Sequence, residues 1–383
     1  MKKCNAATST SGAESSRAGA RSQPKMLLVT NANEDEPAGG RALLSRLNRD
    51  VLFELYGSNL GIVELSKSPL RGAVSYVNAF RGYIDGLNPM VLDATLQMVR
   101  DNCYAKVFVD GSNLGLFVRR LRRELPHVEV ITFFHNVESR FFWGAFRQSR
   151  TLRALAVLWV NYLAERRSVR CSSKVISLSR RDSALLCKIY GRAATHVSAI
   201  GLRDKAPASD GRAKEISRGR FALFVGGTFY ANLAGITWFV DHVAPRIQIR
   251  VCVVGTGFEG LRDQLEREGK VEVIGAVDSV APWYLDAHFA IAPIFDGSGM
   301  KTKVAEALMF GKKIVGTPEA FSGYEDVASR AGWVCKTADD FVAAIGEAEN
   351  TIDDTKDPAL REIYENTFSY SAFKERIAAI VQS

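Results

Sequence analysis

No apolar run in the 383-residue sequence is long enough to span a bilayer, so the expectation is a chain that is not integral to a membrane. The opening stretch MKKCNAATSTSGAESSRAGARSQPK is Ser-, Ala- and Gly-rich and basic, and it lacks the apolar segment that a secretory or lipoprotein signal around Cys4 requires. Residues 1–24 therefore read as a disordered tail, or as sequence upstream of a functional start at Met26. Cysteine is sparse: Cys4, Cys103, Cys171, Cys187, Cys252 and Cys335 show no paired spacing and read as reduced thiols of a cytoplasmic protein. There is no Asp-x-Asp motif and no His/Cys cluster at ligand spacing, so no metal is expected. Aromatic residues are not interleaved with basic ones as a stacking platform needs, which argues against nucleic acid as a partner. No internal repeat is present.

What the chain does contain is material for two cores, at 47% hydrophobic and 24% charged residues. A net charge of +8 points to an anionic partner without choosing among anionic lipid, nucleic acid and a phosphate-bearing substrate. The segments KMLLVTNA, VLFELYG, IVELS, AKVFVDGS, HVEVITFFHN and KVISLS read as strands, separated by helical patterns such as EDEPAGGRALLSRL, NPMVLDATLQMVRDN and LGLFVRRLRREL. Ser179 and Asp182 are spaced as a capping pair before SALLCKIYG. The polar run RDKAPASDGRAKEISRGR, residues 203–220, is the linker candidate. A second alternation of strands and helices begins at Phe221. The expectation is thus an α/β chain of two doubly wound units, residues 25–202 and 221–366, with a final amphipathic helix over 367–383. Two such units leave a cleft at the carboxyl ends of their strands, where ligands bind.

The richest segment is Ile291–Pro318, IAPIFDGSGMKTKVAEALMFGKKIVGTP. An apolar strand runs into the loop Asp296, Gly297, Ser298, Gly299, and a helix is expected from Met300 to Phe310. The helix N-terminus favours anions, with Lys301 and Lys303 adding charge beside it. Glu306 lies where a carboxylate accepts hydrogen bonds from vicinal hydroxyls such as those of a ribose. The run FVGGTFYAN places Gly226, Gly227 and Thr228 at a strand end, where backbone approaches a ligand closely. ITFFHNVES ends another strand with His135, Asn136 and Glu138 facing the expected cleft. GTGFEG, from Gly255 to Gly260, matches the dinucleotide pattern. It sits in mid-unit with no acid at the following strand end, and reads as a tight turn.

These motifs, with FALFVGGTFYANLAGITWFVDHVAPRI, VCVVGTGFEGL, AGGRALLSRL and VISLSRRDSALLCKIYG in the same order, resemble the glycosyltransferase group 1 family. The resemblance implies the GT-B fold, two Rossmann-like domains facing across a cleft. It implies a retaining, metal-independent transferase moving a sugar from a nucleotide diphosphate sugar to a hydroxyl acceptor in polysaccharide or glycolipid biosynthesis, with no cofactor. Gly226 to Thr228 and Asp296 to Met300 would face the donor's phosphates and sugar, and the backbone at Ala276 and Val277 its base. His135 would stand near the transferred sugar, and Gly39, Gly40 and Arg41 would line the acceptor side with Asn136 and Glu138. Two departures stand out. The arginine–lysine pair that many members carry after the first glycine loop is absent, so the cationic role falls to Lys301 and Lys303. Of the paired glutamates, Glu306 matches the second, whereas Ser298, or Asp296 with a two-residue insertion, occupies the first. A nucleotide-sugar epimerase and an inactive donor-binding scaffold stay open as alternatives. The family's acceptors are often lipid-linked. Arg140, Arg147, Arg150, Arg153, Arg166, Arg167 and Arg170 bracket the apolar ALAVLWVNYLA, a helix that either rests on an anionic membrane face or packs in the ordinary way.

Overall fold

Short apolar runs buried on both faces form parallel strands, since only a covered sheet hides side chains pointing both ways. The computed structural model describes residues 24–32, 40–66, 73–206, 219–352 and 356–383. Residues 1–23 of the expected tail, Gly39, and residues 207–218 of the linker lie outside them. In the first unit, β1 (Met26–Asn31), α1 (Gly40–Tyr56), β2 (Leu60–Leu65), α2 (Ala73–Arg81), α3 (Pro89–Asp101), β3 (Lys106–Asp110), α4 (Gly115–Glu124) and β4 (Glu129–Phe133) follow in turn. They are continued by α5 (Glu138–Ser149), α6 (Leu152–Cys171), β5 (Lys174–Ser177), α7 (Arg180–Tyr190) and β6 (His196–Val197). The strands pair in the order β2-β1-β3-β4-β5-β6, all parallel.

The second unit runs β7 (Phe221–Val225), α8 (Tyr230–His242), β8 (Arg250–Val254), β9 (Val271–Gly275) and β10 (Phe289–Ala292), then β11 (Ile314–Gly316) and β12 (Gly332–Val334). Its order is β12-β11-β10-β7-β8-β9, again parallel, with the reversal between β7 and β10. This is a doubly wound sheet, and its switch point lies beside the Gly226 loop.

One expected strand is a helix. VLFELYG continues α1, because Val51, Leu52 and Tyr56 extend the buried stripe of Leu44, Leu47 and Asn48 at helical spacing, and nothing breaks it before Gly57 at φ +50°. The helix after β10 also begins later than expected, spanning Thr302–Met309, because Gly297 and Gly299 hold positive φ and Lys301 is still extended. The cap expected at Ser179 is present, its Oγ accepting from Asp182 N at 3.0 Å, and Thr151 Oγ1 likewise accepts from Ala154 N at 3.2 Å.

The last helix, Tyr370–Gln382, crosses back onto the first unit. Phe373 stacks edge-on against Phe133, Lys106 and Lys174 donate to the Val381 and Ile380 carbonyls, and Lys374 pairs with Glu54. Phe373 and Ile377 join the α1 side of the first sheet to the core of the second unit. The two units are thereby tied at one end, and their strand ends face each other.

Candidate functional site

Strand ends from both units meet at the centre of the interface. Ser298 Oγ accepts from Val137 N at 3.1 Å and donates to Val137 O at 3.2 Å. A Cβ on Gly299 would lie 2.9 Å from the His135 carbonyl, so only glycine permits this approach at φ +66°. Arg140, on α5, pairs with Asp296 at 3.0 Å, and a Cβ on Gly144 would come within 3.0 Å of the same carboxylate. Both positions considered for the missing first glutamate are therefore occupied by interdomain contacts. Ser298 satisfies a backbone N–H and C=O, and Asp296 is bound to Arg140 and accepts from Gly297 N.

On the second unit's wall the two lysines separate. Lys301 Nζ donates to Glu319 at 2.8 Å and to Gly299 O at 3.0 Å, and Glu319 also pairs with Arg181 at 2.7 Å. Burial lowers the Lys301 pKa against the pull of Glu319. Its charge is already neutralised inside the protein. Lys303 makes no ion pair among the described residues: its Nζ donates to Asn232 Oδ1 at 2.9 Å and sits 4.2 Å over the Phe224 ring. Burial pushes its pKa down to about 7, Glu306 opposing and Lys301 reinforcing. Asn232 also donates to Gly227 O at 2.8 Å, and a Cβ on Gly226 would be 3.2 Å from Lys303 Nζ. One asparagine thus ties the first glycine loop to the remaining cation. Thr228 stands over Gly257, and Gly255 N donates to Gly275 O at 2.7 Å, so GTGFEG is a turn stacked among strand-end loops. Ala276 and Val277 follow β9 on the same side.

Glu306 is buried on its helix, with Lys205 Nζ at 3.3 Å and the Tyr284 hydroxyl at 3.5 Å. Lys205, which precedes the second unit, was missed because nothing in a polar linker marks a partner. Met300 is buried and packs on Gly323.

On the first unit's wall, His135 Nε2 lies 3.0 Å from Asp110 Oδ1 at the end of β3, without the alignment of a directed hydrogen bond, and its buried Nδ1 has no partner. Asp110 accepts from Thr30 Oγ1 and Asn48 Nδ2, both at 2.8 Å. Burial acts to raise its pKa, yet His135, Ser45 and Asn48 hold it well below the usual carboxylate range. Asp110 was not singled out from the sequence; the signal is an Asp-Gly at the end of a buried strand, visible once β3 and β4 are known to be neighbours.

Arg41 pairs with Asp85 at 2.8 Å, and its own pKa is raised by Asp85 and Glu138 against the effect of burial. Gly40 precedes it beside Thr302. Asn136 carries a buried Oδ1 without a partner. Glu138 opens α5, and burial pushes its carboxyl up to about 8, with Arg41 opposing and Glu165 adding to the rise. Glu165, fully buried on α6, accepts from Glu138 N (2.9 Å), Ser139 N (3.1 Å), Ser139 Oγ (2.9 Å), Ser112 Oγ (3.3 Å) and the Tyr190 hydroxyl (2.6 Å). It satisfies the free N–H groups at the start of α5, the helix that carries Glu138 and Arg140.

A cavity of about 870 Å³ opens on the other flank of the interface, lined by residues including Arg180, Arg330, Arg376, Glu325 and Phe368. It does not contain His135, Lys303 or Glu306. Among the described residues no group of three or more His, Cys, Asp and Glu is placed to hold a metal ion, and no helix is long and apolar enough to cross a membrane.

Two parallel, doubly wound sheets facing across strand-end loops, with a C-terminal helix returning to the first unit, define the GT-B architecture. The same fold is seen in Anabaena Alr3699/HepE in complex with UDP, at 14% identity and TM-score 0.63, covering 94% of this chain and 99% of that one. It recurs in the lipopolysaccharide outer core galactosyltransferase WaaB (13%, TM-score 0.61, 94% and 99%) and in a glycosyltransferase from Rickettsia africae ESF-5 (13%, 0.63, 93% and 97%). Residues 219–350, nearly the whole second unit, match the family model of the glycosyl transferases group 1. No curated protein sequence matches the chain.

Proposed function

We propose that the protein is a glycosyltransferase that moves a sugar from a nucleotide diphosphate sugar to a hydroxyl acceptor, a glycan or lipid-linked sugar, in polysaccharide or glycolipid assembly. The observation that supports it best is the meeting of the His135–Asp110 pair with the Gly297–Gly299 loop, beside a unit that matches the group 1 family model. Breaking the bond between the sugar's anomeric carbon and the phosphate leaves charge on the diphosphate. Lys303 and the uncapped start of the helix Thr302–Met309 are the groups here that answer it. His135, held by Asp110, would contact the sugar; Glu306 would receive the ribose in exchange for Lys205. Retention of configuration rests on the family resemblance; Asp296, at the start of the glycine loop, is bound to Arg140.

The reaction is proposed to need neither metal nor cofactor, and to take place at the cytoplasmic face of a membrane where the acceptor is lipid-linked. HepE was crystallised with UDP-glucose, which makes it the first donor to try. Incubation with UDP-sugars in excess chelator should give transfer or slow donor hydrolysis. Interconversion of the sugar would mean an epimerase. Binding without turnover would mean a scaffold, the reading that the serine at position 298 favours. Turnover that is lost with EDTA and restored by magnesium would refute metal independence.

A further inference from the structure

Ordinary packing, one of the two readings of the basic-flanked helix, holds for only half of it. The second half of α6 is internal, with Val160, Asn161, Ala164, Glu165, Ser168 and Val169 buried. Its first half is different: no residue from Leu152 to Trp159 is buried, and α5 buries only Glu138, Ser139 and Gly144. The two helices project as a hairpin that turns at Arg150, in the left-handed conformation at φ 49°.

This elbow leaves Trp143 46%, Leu152 85%, Leu155 44% and Trp159 54% exposed. An exposed tryptophan or leucine alone needs no explanation, but two of each on one hairpin is a patch. Between Glu138 and Glu165 the chain carries no acidic residue, while Arg147, Arg150 and Arg153 are exposed around the apolar side chains. Tryptophan, leucine and arginine without carboxylates is the composition of a surface that sits at the headgroup level of an anionic bilayer, rings among the acyl chains and guanidinium groups on phosphates. A second copy of the chain fits less well. A two-fold contact through this patch would set the arginines against their own counterparts with no carboxylate to offset them.

We infer that the α5–α6 elbow is the surface by which the protein docks on an anionic lipid bilayer. The position suits that role, because α5 also forms part of the interdomain site. Arg140 and Gly144 meet Asp296, and Phe141 packs 5.8 Å from Tyr230, while Trp143 and Arg147 lie on the next face. Docking there brings the site to the membrane plane. The inference rests on the transferase reading for its purpose only.

Co-sedimentation of the full chain with vesicles, without donor or acceptor, tests it. Binding is expected to vesicles of phosphatidylcholine with about one-third phosphatidylglycerol, to be weak to phosphatidylcholine alone, and to fall as salt rises. Arg147→Glu/Arg153→Glu and, separately, Trp143→Ser/Trp159→Ser should each reduce it at least about tenfold. The shift in melting temperature produced by UDP should be the same in these variants as in the parent, which shows that they are folded. A chain that stays in the supernatant with both vesicle types overturns the inference, as do variants that sediment like the parent. So does a dimer abolished by Trp143→Ser/Trp159→Ser without vesicle binding. Vesicle binding by a protein that shows no transfer would sustain the docking surface and count against the transferase.

Discussion

The two walls of the cleft are built in opposite ways. The second unit's wall comes largely from one continuous segment, Asp296 to Glu306, with a glycine loop after β7 beside it, and Lys303, without an ion pair among the described residues, is held by a neutral asparagine. The first unit's wall is gathered from Thr30, Arg41, Asp85, Asp110, His135 and Glu165, on different elements, and its charges are paired or buried. One wall keeps a charge for a ligand, and the other uses its charges on itself to fix a histidine and a helix start. A site of this kind needs both: positions that stay rigid, and a cation whose partner is still missing.

The largest test of that contrast is Glu165→Ala. Removing the carboxylate takes the shared acceptor from five donors in a closed interior, of which Ser139 Oγ and the Tyr190 hydroxyl keep only each other, so unfolding free energy should fall by about 3–5 kcal/mol in a denaturant titration. A loss below about 1 kcal/mol would mean that water replaces Glu165, and that the first wall is less rigid than described.

His135→Ala should lower turnover by a factor on the order of 100, with donor affinity little changed, because a group acting on the transferring sugar matters mainly in the transition state. Near-normal turnover with lower stability would make His135 a packing residue of β4's end.

The lysines give the next comparison. Lys303→Ala should weaken UDP binding by about 2 kcal/mol and uridine binding hardly at all, whereas Lys301→Ala should mainly destabilise the fold by taking one of Glu319's two cationic partners and leaving it Arg181 alone. Since Lys303 is pushed down to about 7, UDP should bind with proton uptake above that pH and lose affinity as pH rises. Calorimetry in buffers of different ionisation enthalpy measures this directly, and equal losses for UDP and uridine would place Lys303 away from the diphosphate.

Glu138 gives a test that is read in pH. Its carboxyl, ordinarily at 4.5, is raised to about 8 in the folded chain, so the native state holds a proton that the unfolded chain releases. Its contribution to stability is full below about 4.5 and is lost as pH rises toward about 8. Glu138→Gln should flatten the stability–pH curve across that window; an unchanged slope would show that Arg41 keeps the carboxylate ionised.

These tests also separate what could be read in one dimension from what could not. The strand, glycine loop and lysines of 291–318 were legible because they are consecutive, and local spacing encodes a strand end followed by a helix start. The roles of the two lysines were not. They sit two residues apart on similar backbone, and only the positions of Glu319 and Asn232 distinguish them. VLFELYG was misread because a short apolar run carries too few turns to reveal its period, which the flanking buried stripe of α1 supplies.

From the sequence alone follow the two alternations of strand and helix, the cap at Ser179, the C-terminal helix, and the strand ends that carry His135 and the Gly297–Gly299 loop. Each depends on near neighbours in the chain: apolar period, capping geometry, glycine at positive φ. Tertiary structure alone decided that Asp110 stands behind His135, that Ser298 grips Val137 across the interface, that Lys301 is neutralised while Lys303 is not, and that α6 is half core and half surface. Those outcomes depend on which strands become neighbours and how two units close on each other, distances that residue spacing along a chain does not carry.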